Sequence, residues 1–438
     1  MNTNEKYEIA DLVIKHAIKN GADEVAVAIS DSASSHIEIR EKKIDRLQES
    51  ISNGLSLSLY VQKKYSSHST NHLKKDDLMK FVEGAVAATK YLSEDEFRYL
   101  PDSERYYKGG GEDLMTMDAN INTLDPKSKI ELARQAENEI FGTDERIISI
   151  TASYDDSVSS DVFVTSNGFK GESNGSFAGI SASVSIKGET GRPQDYWGEY
   201  CIHLDDLVKS GIGKKALERT IRKLDPRKIS SGKYLMLVDN LAAGNLMGPF
   251  ISAIYGSSMY QKNSFLIGKA NTKVASEILT IIDDPLLPKG FGSRHFDQEG
   301  INAVKREVIE NGILKNYFIG TYYGRKLNLP PTTIGPSNLV FKSGDKDQAA
   351  LVKSVKKGVL VTGFNGGNCN GSTGDFSYGI EGFYIENGEI KYPVNEMNIS
   401  GNMKEFWNTL VAVGNDPYKF GSYLTPSMLF DNTDFSGL

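Results

Sequence analysis

The first third of the chain alternates between helical and period-two patterns of apolar residues. A helix is predicted first, ending at Asn20-Gly21, because apolar residues recur every three or four positions at Ile9, Leu12, Val13, Ala17 and Ile18. Four runs with period-two alternation follow and predict strands of an antiparallel sheet: EVAVAIS, SHIEIRE, KIDRLQE and LSLSLYVQ. A second helix is predicted from Asp76 to Leu92, and LPDSERYYKGGGEDL then reads as a surface connection.

The middle third repeats this order. Asp125-Pro126 is a strong helix start, with a cap followed by proline, and the helix is predicted to run to Phe141. Three further strand patterns come next, IISITASYDD, DVFVTSNGFKG and SFAGISASVSIKGE, with Asn167-Gly168 as a hairpin turn. Helical segments are predicted between Leu204 and Leu224, and the segment DPRKISSG predicts a domain boundary.

The last part of the chain contains two hairpin signals. REVIENGILKNYF and GFYIENGEIKYPV each place Asn-Gly between alternating apolar runs. Strands are also predicted at KYLMLVD and KGVLVTGF, and helices at Leu241 to Tyr255, at Asp347 to Val355 and at MKEFWNTLVAVG. Strands in consecutive runs with interspersed helices favour an α+β fold over a parallel doubly wound sheet.

Length and composition narrow the picture further. A chain of 438 residues predicts two domains, 1–225, with a middle insertion region from about 112, and 226–438, each with a largely antiparallel sheet packed with helices. The net charge of −7 argues against direct contact with nucleic acid. The sequence lacks a secretory signal pattern and a long apolar span, and it has only two cysteines, so a cytoplasmic protein without membrane contact is expected.

The segment GFNGGNCNGSTGDFSYG, residues 363–379, is the most unusual part of the chain, because six of its residues are glycine. Glycine loses more conformational entropy on folding than other residues do, so a glycine-rich segment suggests a ligand that requires backbone without side chains. A phosphate loop would need a lysine and a following helix, and this segment has neither.

Cys369 in this segment raises two other possibilities. A metal site would need further ligands at a recognisable spacing, and the six histidines are scattered. A nucleophilic cysteine would need a base, for which His295 is the one histidine in the same half. A lone cysteine is more often a packed small hydrophobic residue.

A peptide is the ligand that suits the segment best. Its glycines, amides and hydroxyls can form hydrogen bonds with the main chain of an extended peptide while contacting few of the peptide's side chains. A wide loop with a purely structural role is the equally weighted alternative.

Several segments, taken in order, resemble the TldD/PmbA family, also called modulators of DNA gyrase. They are GADEVAVAIS, TSNG, LTIIDDP, GSRHFDQEG, VIENGILKNY, GFNGGNCNGSTGDFSYG, YIENGEI and VGNDPYKFGSYLTPSM. The resemblance implies a metallopeptidase assembled from two kinds of subunit and acting on unfolded or small peptides. TldD-type subunits bind zinc through an HExxxH motif and a cysteine near the C-terminus, and PmbA-type (TldE) subunits lack the motif.

This chain departs from the TldD-type pattern at the metal positions. Aligned without gaps from LTIIDDP, the HExxxH motif falls on MGPFIS, so that Met247, Gly248 and Ser252 replace its histidines and glutamate. Phe420 stands where the family has its cysteine. None of these four residues has a nitrogen, thiolate or carboxylate ligand to offer zinc.

The resemblance therefore implies a PmbA-type subunit with no catalytic or metal-binding residues and no cofactor of its own. Its expected partners are a peptide and an HExxxH-bearing subunit that carries the zinc, or a second copy of itself. The alternative is a non-catalytic homodimeric regulator that binds a peptide or a protein such as gyrase. Five residues of the glycine-rich segment are predicted to line a peptide channel or the subunit interface: Gly366, Gly367, Asn368, Thr373 and Asp375.

Overall fold

The computed structural model describes residues 1–437, and the first half is built on one sheet. Its strands are β1 (Glu24–Arg40), β2 (Lys43–Val61), β3 (Lys64–Thr70), β4 (Ile147–Thr165), β5 (Lys170–Ile186) and β6 (Gln194–Cys201). They are antiparallel throughout and lie in the order β3-β2-β1-β4-β5-β6. The pairs of short runs predicted in this half are therefore continuous strands of up to 19 residues.

Four helices cover one face of this sheet: α1 (Thr3–Lys19), α2 (Lys75–Thr89), α3 (Pro126–Asn138) and α4 (Ile212–Arg222). Helices α1 and α2 form an apolar core with one end of the strands, and α3 and α4 form a second core at the other end. Asp125 caps α3 as predicted, accepting hydrogen bonds from the amides of Lys127 and Ser128.

A serine-rich band separates these two cores. Within it, Nζ of Lys129 lies 2.6 Å from Asp156 and donates a hydrogen bond of 2.8 Å to Ser35 Oγ. Lys6 is also fully buried and lies 3.1 Å from Asp31. Because buried charges need such partners, the two lysines hold their helices against a part of the sheet that has few apolar side chains.

The second half contains two smaller sheets. Its strands are β7 (Gly232–Val238), β8 (Ile281–Asp283), β9 (Arg306–Glu310), β10 (Ile313–Leu314), β11 (Leu339–Phe341), β12 (Lys357–Cys369), β13 (Asp375–Glu386), β14 (Glu389–Asn402), β15 (Leu410–Val413), β16 (Tyr423–Leu424) and β17 (Met428–Ser436). One sheet has the order β10-β9-β8-β11-β16 and the other β14-β13-β12-β7-β17-β15. Among the strands of residues 1–437, only the pairs β7–β12 and β11–β16 are parallel, which confirms the predicted α+β class.

Five helices belong to this half: α5 (Asn240–Ala253), α6 (Gly256–Tyr260), α7 (Thr321–Leu327), α8 (Gln348–Ser354) and α9 (Met403–Phe406). The largest apolar core of the protein lies between them and both sheets. Among residues 1–437, no helix has the length and apolar character needed to cross a membrane. The division into two domains at 225/226 stays a prediction.

Two predictions of local structure were wrong. The helix predicted at MKEFWNTLVAVG ends at Phe406, and Leu410–Val413 instead forms β15, which pairs with β17. The connection LPDSERYYKGGGEDL does not lie wholly on the surface, because Tyr106 is only 3% exposed between Phe169 and Ile301. This connection thereby joins the first sheet to the second half.

Candidate functional site

Helix α5 carries the positions at which the resemblance predicts the metal motif. Asp239 caps it, accepting a hydrogen bond of 2.8 Å from the amide of Leu241. One face of the helix is buried in the core of the second half. The other face is open, because a Cβ atom at Gly244 or Gly248 would meet no atom within 4 Å.

The residues at the motif positions do not fit a zinc ion. Met247 is fully buried in the core, whereas Gly248 and Ser252 lie on the outer face of α5. No three His, Cys, Asp or Glu side chains within residues 1–437 are grouped so that they could hold a metal. A methionine facing the core, a glycine and a serine supply neither the usual ligands of zinc nor a general base.

Phe420, which the resemblance predicts to stand at the family's cysteine position, takes part in an aromatic contact between the two halves. Its ring packs edge-on against Trp197 of β6, with ring centres 6.3 Å apart. The segment around it lies beside the start of α5, since Asn240 Nδ2 donates to Asp416 O and Thr425 Oγ1 donates to Asn240 O. Phe420 thus has a packing role here.

The glycine-rich segment forms a hairpin, which corrects the wide loop that the sequence left open as one of two alternatives. Strand β12 continues through Cys369, residues 370–374 form the turn, and β13 begins at Asp375. The pairing of the two strands shifts between Phe364 and Gly367, so that Asn365 and Gly366 form a bulge.

Strand β12 has a free edge along this hairpin. β7 pairs only with Gly358–Val361, and no described residue pairs with that side of the strand farther along. Residues 365–368 are exposed. An edge of this kind presents unpaired main-chain amides and carbonyls.

Hydrogen bonds at both ends of the free edge connect it to the region of α5 and α6. At its start, the amide of Asp239 donates to Val361 O. At the turn, Ser372 Oγ donates to the carbonyl of Lys262, which follows α6 in the chain. The two ends of the free edge therefore lie beside the start of α5 and the segment that follows α6.

The predicted channel residues fall into two groups. Gly366, Gly367 and Asn368 lie on the exposed free edge. Thr373 Oγ1 donates a hydrogen bond of 2.7 Å to Asp375 Oδ2, and Asp375 also accepts a hydrogen bond from Asn402. These two residues hold the turn, while a role for any of the five in peptide binding stays a prediction.

The structure does not bring a base to Cys369. Burial raises the pKa of its thiol, and nearby Asp375 raises it further, which disfavours the reactive thiolate. His295 stacks instead on Tyr107, with ring centres 5.3 Å apart. Sequence reasoning missed the open face of α5, although the four-residue spacing of Gly244, Gly248 and Ser252 could have revealed it.

Comparisons with known proteins agree with this fold. Three family models match the chain: PmbA/TldA metallopeptidase domain 1 over residues 25–89, the central domain over 119–224 and the C-terminal domain over 231–437. Together they define a protein of the metallopeptidase-domain class. The chain belongs to the PmbA/TldD family.

Individual relatives cover nearly the whole chain. A Metalloprotease PmbA homolog of Haemophilus influenzae is 31% identical over 99% of this chain and 96% of its own length. Metalloprotease PmbA of Escherichia coli O157:H7 is 29% identical over 93% and 92%. A crystal structure from Bacteroides thetaiotaomicron, described as a modulator of DNA gyrase, is 48% identical with a TM-score of 0.98 and covers 100% of both chains. The relatives named metalloproteases support a peptidase-like role.

Proposed function

We propose that this protein is the subunit without a metal site in a two-chain peptidase of the PmbA/TldD type. The observation that carries the proposal is the set of side chains at the motif positions, where Met247 is buried and Gly248 and Ser252 offer no metal ligand. In this proposal, a partner chain with an HExxxH motif supplies the zinc and the hydrolytic step, and the substrates are unfolded or small peptides.

The contribution of this chain would be to bind peptide. The free edge of β12 supports this role, because an extended peptide can add to such an edge through its main chain. Glycines at 366 and 367 keep side chains away from that edge. Binding would then depend little on peptide sequence, as degradation of unfolded chains requires.

Co-expression with an HExxxH-bearing relative from the same genome tests this proposal. We expect the two chains to co-purify, the pair to cleave peptides only with zinc, and the isolated chain to cleave none. Stoichiometric zinc in the isolated chain together with peptide cleavage would overturn the proposal. So would a failure of the two chains to associate.

The similarity to a protein described as a modulator of DNA gyrase favours a second candidate, a regulator without peptidase function. It predicts binding to a protein target by this chain in the absence of any HExxxH partner. A genome that encodes no such partner would favour this second function. Cytoplasmic location is a prediction under both proposals.

A further inference from the structure

A cavity of about 350 Å³, here called the junction cavity, lies between the two halves of the chain. Its wall consists of residues 190–194 at the loop between β5 and β6, residues 223 and 225–228 at and after the end of α4, and residues 381–382 and 393–396 of β13 and β14. This volume is at the lower end of the range for small-molecule sites in proteins. A ligand in the junction cavity would therefore contact both halves and the linker that joins them.

The wall of the junction cavity is held in place by contacts between the halves. Nζ of Lys223, a largely buried side chain, lies 3.1 Å from Asp195 of β6 and 2.6 Å from Glu381 of β13. The amide of Arg227 in the linker donates a hydrogen bond of 2.9 Å to the carbonyl of Pro393 in β14. A wall fixed in this way loses little conformational entropy when it binds a ligand.

The three carboxylates of this wall already have partners. Glu381 is paired with Lys223, and Glu396 lies 3.0 Å from Nζ of Lys228. Asp225 accepts hydrogen bonds of 2.9 and 3.3 Å from two main-chain amides of the loop between β5 and β6. Each carboxylate is thus bound to a group other than the two arginines of the wall.

Those two arginines, Arg192 and Arg227, have no anionic partner. Neither guanidinium group forms an ion pair or a hydrogen bond with any residue of the described chain, 1–437. Cζ of Arg227 lies 5.3 Å from the ring centre of Tyr392, a contact that leaves its N–H groups free to donate. Both arginines are exposed, so a ligand can reach them. In a protein with a net charge of −7, two uncompensated cations on one cavity wall favour an anionic ligand.

We propose that the junction cavity binds a small molecule that carries a phosphate group, and that Arg192 and Arg227 hold this group. A phosphate monoester has a charge of about −1.5 to −2 at pH 7 and three terminal oxygens. It can therefore compensate both guanidinium groups and accept hydrogen bonds from each. A single carboxylate has one charge and two oxygens, and would leave one arginine uncompensated. The cavity is larger than a phosphate ion, so the rest of the molecule fits beside it.

A phosphate bound in this way joins the two halves. Arg192 belongs to the loop between β5 and β6, whereas Arg227 belongs to the linker that is hydrogen-bonded to β14. Because the ligand would bind only the folded arrangement of these segments, it should stabilise the folded protein. The junction cavity does not include the free edge of β12, and the proposal does not rest on the proposed peptidase role.

Calorimetric titration of the full-length protein with inorganic phosphate, at an ionic strength held constant with sodium chloride, tests the proposal. We expect one saturable site per chain and an unfolding temperature that rises as phosphate is added. Arg192→Gln and Arg227→Gln should each weaken phosphate binding at least about tenfold, because each removes a charged hydrogen-bond donor. The matched control is Arg222→Gln, which removes a nearby exposed arginine outside the cavity wall and should bind phosphate as the wild type does.

The same titration with succinate separates recognition of phosphate from attraction of any dianion. Succinate that bound this site as tightly as phosphate would overturn the proposal. So would the absence of saturable phosphate binding, or phosphate binding that both arginine variants left unchanged. Thermal unfolding in phosphate-free buffer shows whether the three variants are folded, and we expect unfolding temperatures close to that of the wild type because all three arginines are exposed.

Discussion

The two open strand edges of this protein differ in the side chains that flank them. The open β2 edge is the segment Lys43–Gly54, which pairs with β1 but lies beyond the residues that pair with β3. It has three large apolar side chains and charges of both signs, all exposed. The free edge of β12 has glycines and asparagines, and the aromatic residues of its hairpin, Phe364 and Tyr378, pack against the core.

This difference indicates how selective each edge is. Main-chain hydrogen bonds are available at both edges and do not discriminate between partners. Side chains beside the β2 edge add a requirement for a matching apolar and charged pattern. The bare β12 edge adds no such requirement. A strand that paired with the first edge would have to match its side chains, whereas a strand that paired with the second would not.

The largest expected effect is the loss of stability when the buried ion pair between Lys129 and Asp156 is broken. Lys129→Met should destabilise the protein by about 3–5 kcal/mol, because it leaves buried Asp156 without its cation. Urea denaturation measures this loss. Lys127→Met on the exposed side of the same helix should change stability by less than about 0.5 kcal/mol. An equal effect of both variants would show that the ion pair of Lys129 with Asp156 does not stabilise this part of the sheet.

The next effect separates two adjacent glycines of β12. Gly367 has a φ of +97°, and a Cβ atom there would overlap the carbonyl oxygen of Ser377. Gly367→Ala should therefore cost about 3 kcal/mol in the free energy of unfolding. Gly366 has a φ of +76° but open space around it, so Gly366→Ala should cost only about 1 kcal/mol. If the two variants lost the same stability, the close approach of the Ser377 carbonyl would not be the reason for glycine at position 367.

The smallest effect on stability should accompany a clear effect on function. Asn368→Trp places a bulky ring on the exposed β12 edge and should change stability by less than about 0.5 kcal/mol. In the proposed pair with an HExxxH-bearing subunit, Asn368→Trp should lower kcat/KM for peptides at least about tenfold, which corresponds to about 1.4 kcal/mol of activation free energy. Asn122→Trp, at an exposed position in the first half, is the matched control. If Asn368→Trp leaves peptide turnover unchanged, the proposal that peptides bind at the β12 edge is wrong.

Local signals in the sequence predicted much of the fold. The hairpin turns at Asn311-Gly312 and Asn387-Gly388 are present, and all four residues have the positive φ that such turns require. The cap and proline at Asp125-Pro126 likewise fixed the start of α3. These signals succeed because the residues involved favour one backbone conformation without help from distant parts of the chain.

Other elements depend on partners that are distant in sequence. The helix predicted after Met403 gives way to a strand because Leu410–Val413 meets the edge of β17. The runs EVAVAIS and SHIEIRE form one strand because β2 and β4 pair with the polar residues between them. For the candidate site, the sequence drew attention to the glycine-rich segment but did not show the free edge, which depends on where β7 stops pairing. The motif positions stay a prediction.

The position of β4 in the first sheet has a consequence for biosynthesis. β1 pairs with β4, whose residues follow it by more than a hundred positions in the chain. During translation, β1, β2 and β3 therefore emerge before β4, and Ile37 and Ile39 of β1 stay exposed to solvent until β4 has left the ribosome. A nascent chain stalled before residue 147 would be a natural client for chaperones.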